Sequence, residues 1–86
     1  METIWKFKLT LCDEQSLSAP KGAEFLSVNV QHDRIAVWAK NKTSEGLEKR
    51  EFRIFGTGHR IPSDYSGRFL GTVLIKTLVF HVYVDR

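Results

Sequence analysis

A chain of 86 residues makes one domain, because a core of this size does not divide, and its 42% hydrophobic and 12% aromatic content excludes wholesale disorder. Thirteen Lys and Arg against ten Asp and Glu give a net charge of +3, with acids scattered among the bases and no basic block of the kind that marks a nucleic-acid arm. The single cysteine, Cys12, excludes an internal disulfide and a cysteine-built zinc site.

The opening METIWKFKLT is charged and alternating, without the apolar core of a secretion signal. Trp5, Phe7, Leu9 and Leu11 alternate with Lys6, Lys8 and Thr10, which predicts a half-buried first strand. Pro20 and Gly22 form a turn. The 13–19 segment before it reads as a short edge strand or an irregular connection, with a helical turn at Asp13 as the weaker reading. AEFLSVNVQ predicts a strand with Leu26, Val28 and Val30 on one face, and QHD a hairpin loop. RIAVWAK returns with Ile35, Val37 and Ala39 on one face and Trp38 on the other. The polar NKTSEGLEK reads as an exposed hairpin loop. REFRIF is the next strand, with Phe52 and Ile54 inward, Arg53 outward, and Phe55 on an outer side that is itself partly covered. Glycines and prolines punctuate a loop over 56–67. RFLGTVLI follows as a strand whose Gly71 signals a bulge or a close backbone approach. LVFHVYV closes the chain with Leu78, Phe80, Val82 and Val84 on one face. No run reaches the roughly 18–20 apolar residues of a membrane helix. The sum is one all-β domain over 1–86: a small antiparallel sandwich or partly open barrel. It has five to six strands, mainly paired with chain neighbours, and at most one short helical turn.

The corner FRIFGTGHRIP admits two readings. Gly56 and Gly58 free the backbone for close approach, so amide groups of Gly56, Thr57 and Gly58 could converge on an anion beside Arg60. The motif lacks the Gly-Lys-Ser/Thr ending of a P-loop and the third glycine of a dinucleotide fingerprint, and no helix follows. A strand end with a tight bend, tied down by His59 and stiffened by Pro62, is the favoured reading.

This corner, with IWKF followed by DEQ, the PKGA turn, a Trp in the RIAVWAK strand and the final LVFHVYV, resembles a family of small, functionally uncharacterised proteins encoded by bacteriophages and prophages. The resemblance spans nearly the whole chain; Pro20, Gly22, Ala23, Trp38, Gly56, Gly58, His59 and Pro62 match its pattern. It implies a phage gene product acting in the host cytoplasm. It brings no assigned activity, so no catalytic role is carried over.

His32, His59 and His81 show no metal-ligand spacing. Cys12 with His59, or Ser63 and Asp64 near His59, sketch a hydrolytic group, but Ser and Asp after Pro are ordinary turn formers. No catalytic residue, metal or cofactor is therefore expected. Trp38, Phe55 and Tyr83 fall on the nominally polar sides of their strands, and Arg53 flanks Phe55. They are the signature of either a two-sided core or an aromatic patch that binds a partner. The candidate binding residues are Arg53, Phe55, Gly56, Thr57, Gly58, His59 and Arg60, with Trp38 and Tyr83. The leading expectation is a non-enzymatic module that binds and inhibits a host protein, such as a defence component. Self-association into a homo-oligomer would enlarge its small core. The alternative is an oligomeric sponge that traps a nucleotide signal at the glycine corner. A virion accessory role ranks below both, as does nucleic-acid binding, on the near balance of charge.

Overall fold

A computed structural model describes residues 2–42 and 46–86. It has seven strands: β1 (Thr3–Leu9), β2 (Glu14–Pro20), β3 (Glu24–Gln31), β4 (Arg34–Asn41), β5 (Leu47–Gly56), β6 (Arg68–Ile75) and β7 (Leu78–Val84). No helix occurs among the described residues, and so none is long and apolar enough to cross a membrane. Two antiparallel sheets, ordered β1-β4-β3 and β2-β5-β7-β6, pack face to face as a sandwich that does not close into a barrel. Leu9, Phe25, Ile35 and Val37 from the first sheet meet Phe52, Ile54, Val73, Val82 and Val84 from the second in one buried cluster. Phe25 and Phe52 touch edge to face at its centre, 5.0 Å between ring centroids. Each fully buried side chain of this size contributes about 1.5–3 kcal/mol.

The alternation of apolar residues sets which face each strand buries, and the departures from the sequence reading have local causes. The strand beyond the expected five to six is β2, the 13–19 segment. It forms no helical turn; it pairs with β5 as the edge of the four-stranded sheet. Edge position tolerates Pro20, which has no N–H to donate. In β3 the register slips between Phe25 and Ser27. That bulge reverses the parity, so Phe25 is buried with Val28 and Val30 half-buried behind it, and Leu26 is 45% exposed. Leu11 lies past the end of β1 and is exposed, as is Trp5 on the edge strand β1.

Pairing of chain neighbours is the minority. Among the described residues only β3–β4 and β6–β7 are hairpins, while β1–β4, β2–β5 and β5–β7 join strands distant in sequence. The β3–β4 turn holds His32 and Asp33 at φ 52° and 61°, the signature of a two-residue turn that matches strand twist. β4 and β5 lie in different sheets, so the polar segment between them is a crossover rather than a hairpin loop; its residues 43–45 lie outside the described residues.

Gly71 answers to both of its expected signals. The β6–β7 register shifts between Phe69 and Gly71, and a Cβ on Gly71 would stand 2.6 Å from Val28 Cγ1 of the other sheet.

Candidate functional site

Strand alternation turns Arg53 and Phe55 of β5 to the outer face of the four-stranded sheet. The registers Glu14↔Arg53, Arg53↔Tyr83 and Phe69↔Tyr83 lay one residue of each strand in a row across the sheet: Glu14, Arg53, Tyr83, Phe69. The β5–β6 connection then folds back and sets Tyr65 over β5. Phe55, Tyr65 and Tyr83 meet edge to face, with centroids 5.5–5.8 Å apart, and Phe69 joins Tyr83 at 5.3 Å. Tyr65 reaches this place because residue 67 is glycine: its hydroxyl occupies the position a Cβ there would take. The Arg86 Nε–H bond to the Ser66 carbonyl, 2.7 Å, pins the same loop.

The Arg53 guanidinium lies 5.2 Å from the centroids of both Phe55 and Tyr65, close enough for cation–π attraction. Its Nη1 is 3.2 Å from Glu14 Oε1, and its Nε is buried with no hydrogen-bond partner among the described residues. Burial pushes the Tyr65 phenol above its ordinary pKa; Arg53 pulls the other way, and Asp85 and Tyr83 add to the rise. Phe55 is 6% exposed and Phe69 50%, so the aromatic cluster runs from a sealed ring to an open one.

The glycine corner sits at the end of this sheet. Gly58 takes φ +90°, and the Gly56 N–H donates to His59 Nδ1 at 3.3 Å. The His59 N–H donates to the Gly56 carbonyl at 3.0 Å and the Thr57 N–H to the Val79 carbonyl at 3.3 Å. The amides of Gly56, Thr57 and His59 are thus engaged within the protein. The Thr57 and Thr72 hydroxyls each lie 2.9 Å from one ring nitrogen of His81. A pocket of about 380 Å³ opens between corner and sheet, bordered by Asp13, Glu14, Arg53, Phe55, His59 and Arg60. Cys12 and His59 share a smaller one of about 80 Å³. There the thiol donates to the Glu14 carbonyl at 3.3 Å and accepts from the Gln15 amide at 3.4 Å. Ser63 and Asp64 lie exposed in a turn closed by the Tyr65 N–H on the Pro62 carbonyl. Among the described residues no group of three or more His, Cys, Asp or Glu converges to hold a metal ion.

Arg53, Phe55, Tyr83 and the corner residues Gly56, Thr57, Gly58, His59 and Arg60 therefore share one side of the molecule. Trp38 does not join them. It lies on the outer face of the opposite sheet, between Lys6 and Ser27. Sequence reasoning left Tyr65 and Phe69 out of the site. The β6 bulge is the reason for Phe69, since simple alternation puts it on the same side as the buried Val73.

All of the chain, residues 1–86, matches the family described as a domain of unknown function (DUF7352), and the chain belongs to that family. No curated protein and no solved structure gives a significant match.

Proposed function

We propose that this member of the family is a non-enzymatic binding protein that docks on another polypeptide through the outer face of its four-stranded sheet. The observation that carries the proposal is the row Glu14, Arg53, Tyr83, Phe69 across all four strands. It ends in a half-exposed phenylalanine backed by three mutually packed rings. Arg and Tyr held rigid around an aromatic anchor are the residue types on which binding energy concentrates. Exposed Leu74 and Val79, paired in the same hairpin, add apolar area on the same face beyond the Thr72–His81 pair. A standard interface needs roughly 800 Å² a side, about a seventh of the chain's 5792 Å². The resemblance to small phage and prophage proteins brings no activity and supports only the setting, action in the bacterial cytoplasm; within that setting the partner is read as a host polypeptide and the role as inhibition of host defence. A virion accessory role ranks below it.

Affinity capture from host cells compares the wild type with Phe69→Asp, a change at an exposed position. The partner is expected to be retained by the wild type and lost at least about tenfold with the variant, which is checked by circular dichroism to be folded at the capture temperature. Equal retention by both, or no retained polypeptide, removes this face from consideration. The pocket beside Arg53, His59 and Arg60 favours a second reading, an oligomeric nucleotide sponge. Asp13 and Glu14 border the same pocket and would repel phosphate. On this reading, micromolar nucleotide raises the melting temperature, and Arg60→Ala abolishes the rise.

A further inference from the structure

The net charge of +3 is not spread over the molecule. The registers of β1, β4 and β3 put Lys6, Lys8, Lys40 and Arg34 on the outer face of the three-stranded sheet with one carboxylate, Glu24, 3.8 Å from Lys40. Among the described residues that face therefore carries a local excess of three positive charges. Partly exposed Trp38 sits mid-face, opposite Lys6 on one side and Ser27 on the other. Exposed Asn29 and Gln31 continue the Ser27 edge. Lys6 Nζ donates to Gln31 Oε1, at 2.9 Å, across the face, so an anion arriving there would exchange a neutral acceptor for a charged one.

We infer that this face binds single-stranded nucleic acid, independently of the docking face on the other sheet. Lysines two apart on a strand are spaced about 7 Å, comparable with successive phosphates on an extended strand. Trp38 offers an indole plane to an unpaired base, and the amide and hydroxyl side chains of β3 offer partners to base edges. Four rows of residues span about 20 Å, room for on the order of four nucleotides. An anionic lipid surface would satisfy the charge but would leave the recessed indole and the amide row without a role.

The test is fluorescence anisotropy of a short labelled oligothymidylate with the full chain, titrated against salt. The expected result is saturable binding with a slope of log K against log salt of about −3, from four contacts on a single strand. Trp38 emission, isolated in the Trp5→Phe variant, is expected to be quenched. Lys6→Glu/Lys8→Glu, two exposed positions whose folding is checked by circular dichroism, lowers affinity about tenfold or more; Phe69→Asp leaves it unchanged. No binding at low salt, a slope near zero, or equal binding by the charge-reversed variant overturns the inference. So does unchanged Trp38 emission, because stacking is what singles out an unpaired strand. Binding to phosphatidylserine vesicles in place of the oligonucleotide overturns it in favour of a membrane surface.

Discussion

Arg50 shows how much one side chain ties together. Its Nε donates to Asp85 Oδ1 at 2.7 Å, its Nη1 to the Ala23 carbonyl at 2.7 Å and its Nη2 to the Asp85 carbonyl at 3.2 Å. The guanidinium also covers the Phe25 ring, 5.1 Å from its centroid. The chain end, the β2–β3 crossing and the core thus hang on one fork, a task Lys could not perform. None of this is visible in the sequence. One acceptor is a main-chain carbonyl 27 positions away, the other two are the carboxylate and the carbonyl of a residue 35 away, and alternation reports only the face a residue takes. Tyr65 makes the residue scale measurable. Its phenol titrates higher folded than unfolded, chiefly through burial. The stability it contributes is therefore complete below the unfolded value of about 10 and is lost as pH rises through the higher folded value. Melting temperature followed from about pH 9 to about pH 11 should fall more steeply for the wild type than for Tyr65→Phe. Parallel curves would show that the ring is not desolvated as described.

The two irregular strands, β3 and β6, explain most of what alternation mispredicts. Each carries a bulge, and the two bulges face one another where the sheets meet. Arg68 of β6 donates to the Phe25 carbonyl at 2.7 Å, and Val28 lies over Gly71. A bulge adds a residue and increases local twist, which lets two sheet edges approach. Gly71 announces its bulge in the sequence because only glycine fits. Nothing announces the one at Leu26, since leucine suits either face of a strand, and so Phe25 and Leu26 are read in exchanged roles. Strands free of bulges, β4 and β5, bury the residues that parity selects, Ile35, Val37, Phe52 and Ile54. Gly71→Ala pushes a methyl group against a stiff, β-branched neighbour and is expected to cost about 1–3 kcal/mol in urea unfolding. Val28→Ala opens the space, so the double variant should lose less than the sum of the two single losses. Strict additivity would mean that the sheets do not touch at this point.

At the scale of the molecule, strand order and the placement of charge are both products of pairing between distant segments. A total of +3 reads as near balance. The asymmetry emerges only when β4 is flanked by β1 and β3, because Lys6, Lys8, Arg34 and Lys40 come from two strands far apart in the chain. The same non-local pairing governs how the protein reaches its fold. The two hairpins form from neighbours. The other three pairings bring together residues from 24 (Gly56↔Phe80) to 39 (Glu14↔Arg53) positions apart, and neither β1 nor β2 gains a partner until β4 and β5 exist. Loop closure is therefore spent before most sheet contacts repay it, which slows folding to roughly milliseconds to seconds, against microseconds for local helical topologies. Phe25 and Phe52, one from each sheet, close the core against each other. Neither sheet is buried on its inner face without the other, so folding should be a single event. Stopped-flow refolding followed by tryptophan emission reports Trp5 and Trp38 on the three-stranded sheet, and far-ultraviolet circular dichroism reports both sheets. The two signals are expected to give one exponential with the same rate constant. A faster circular-dichroism phase that precedes the tryptophan change would mean that the four-stranded sheet stands alone before its partner packs.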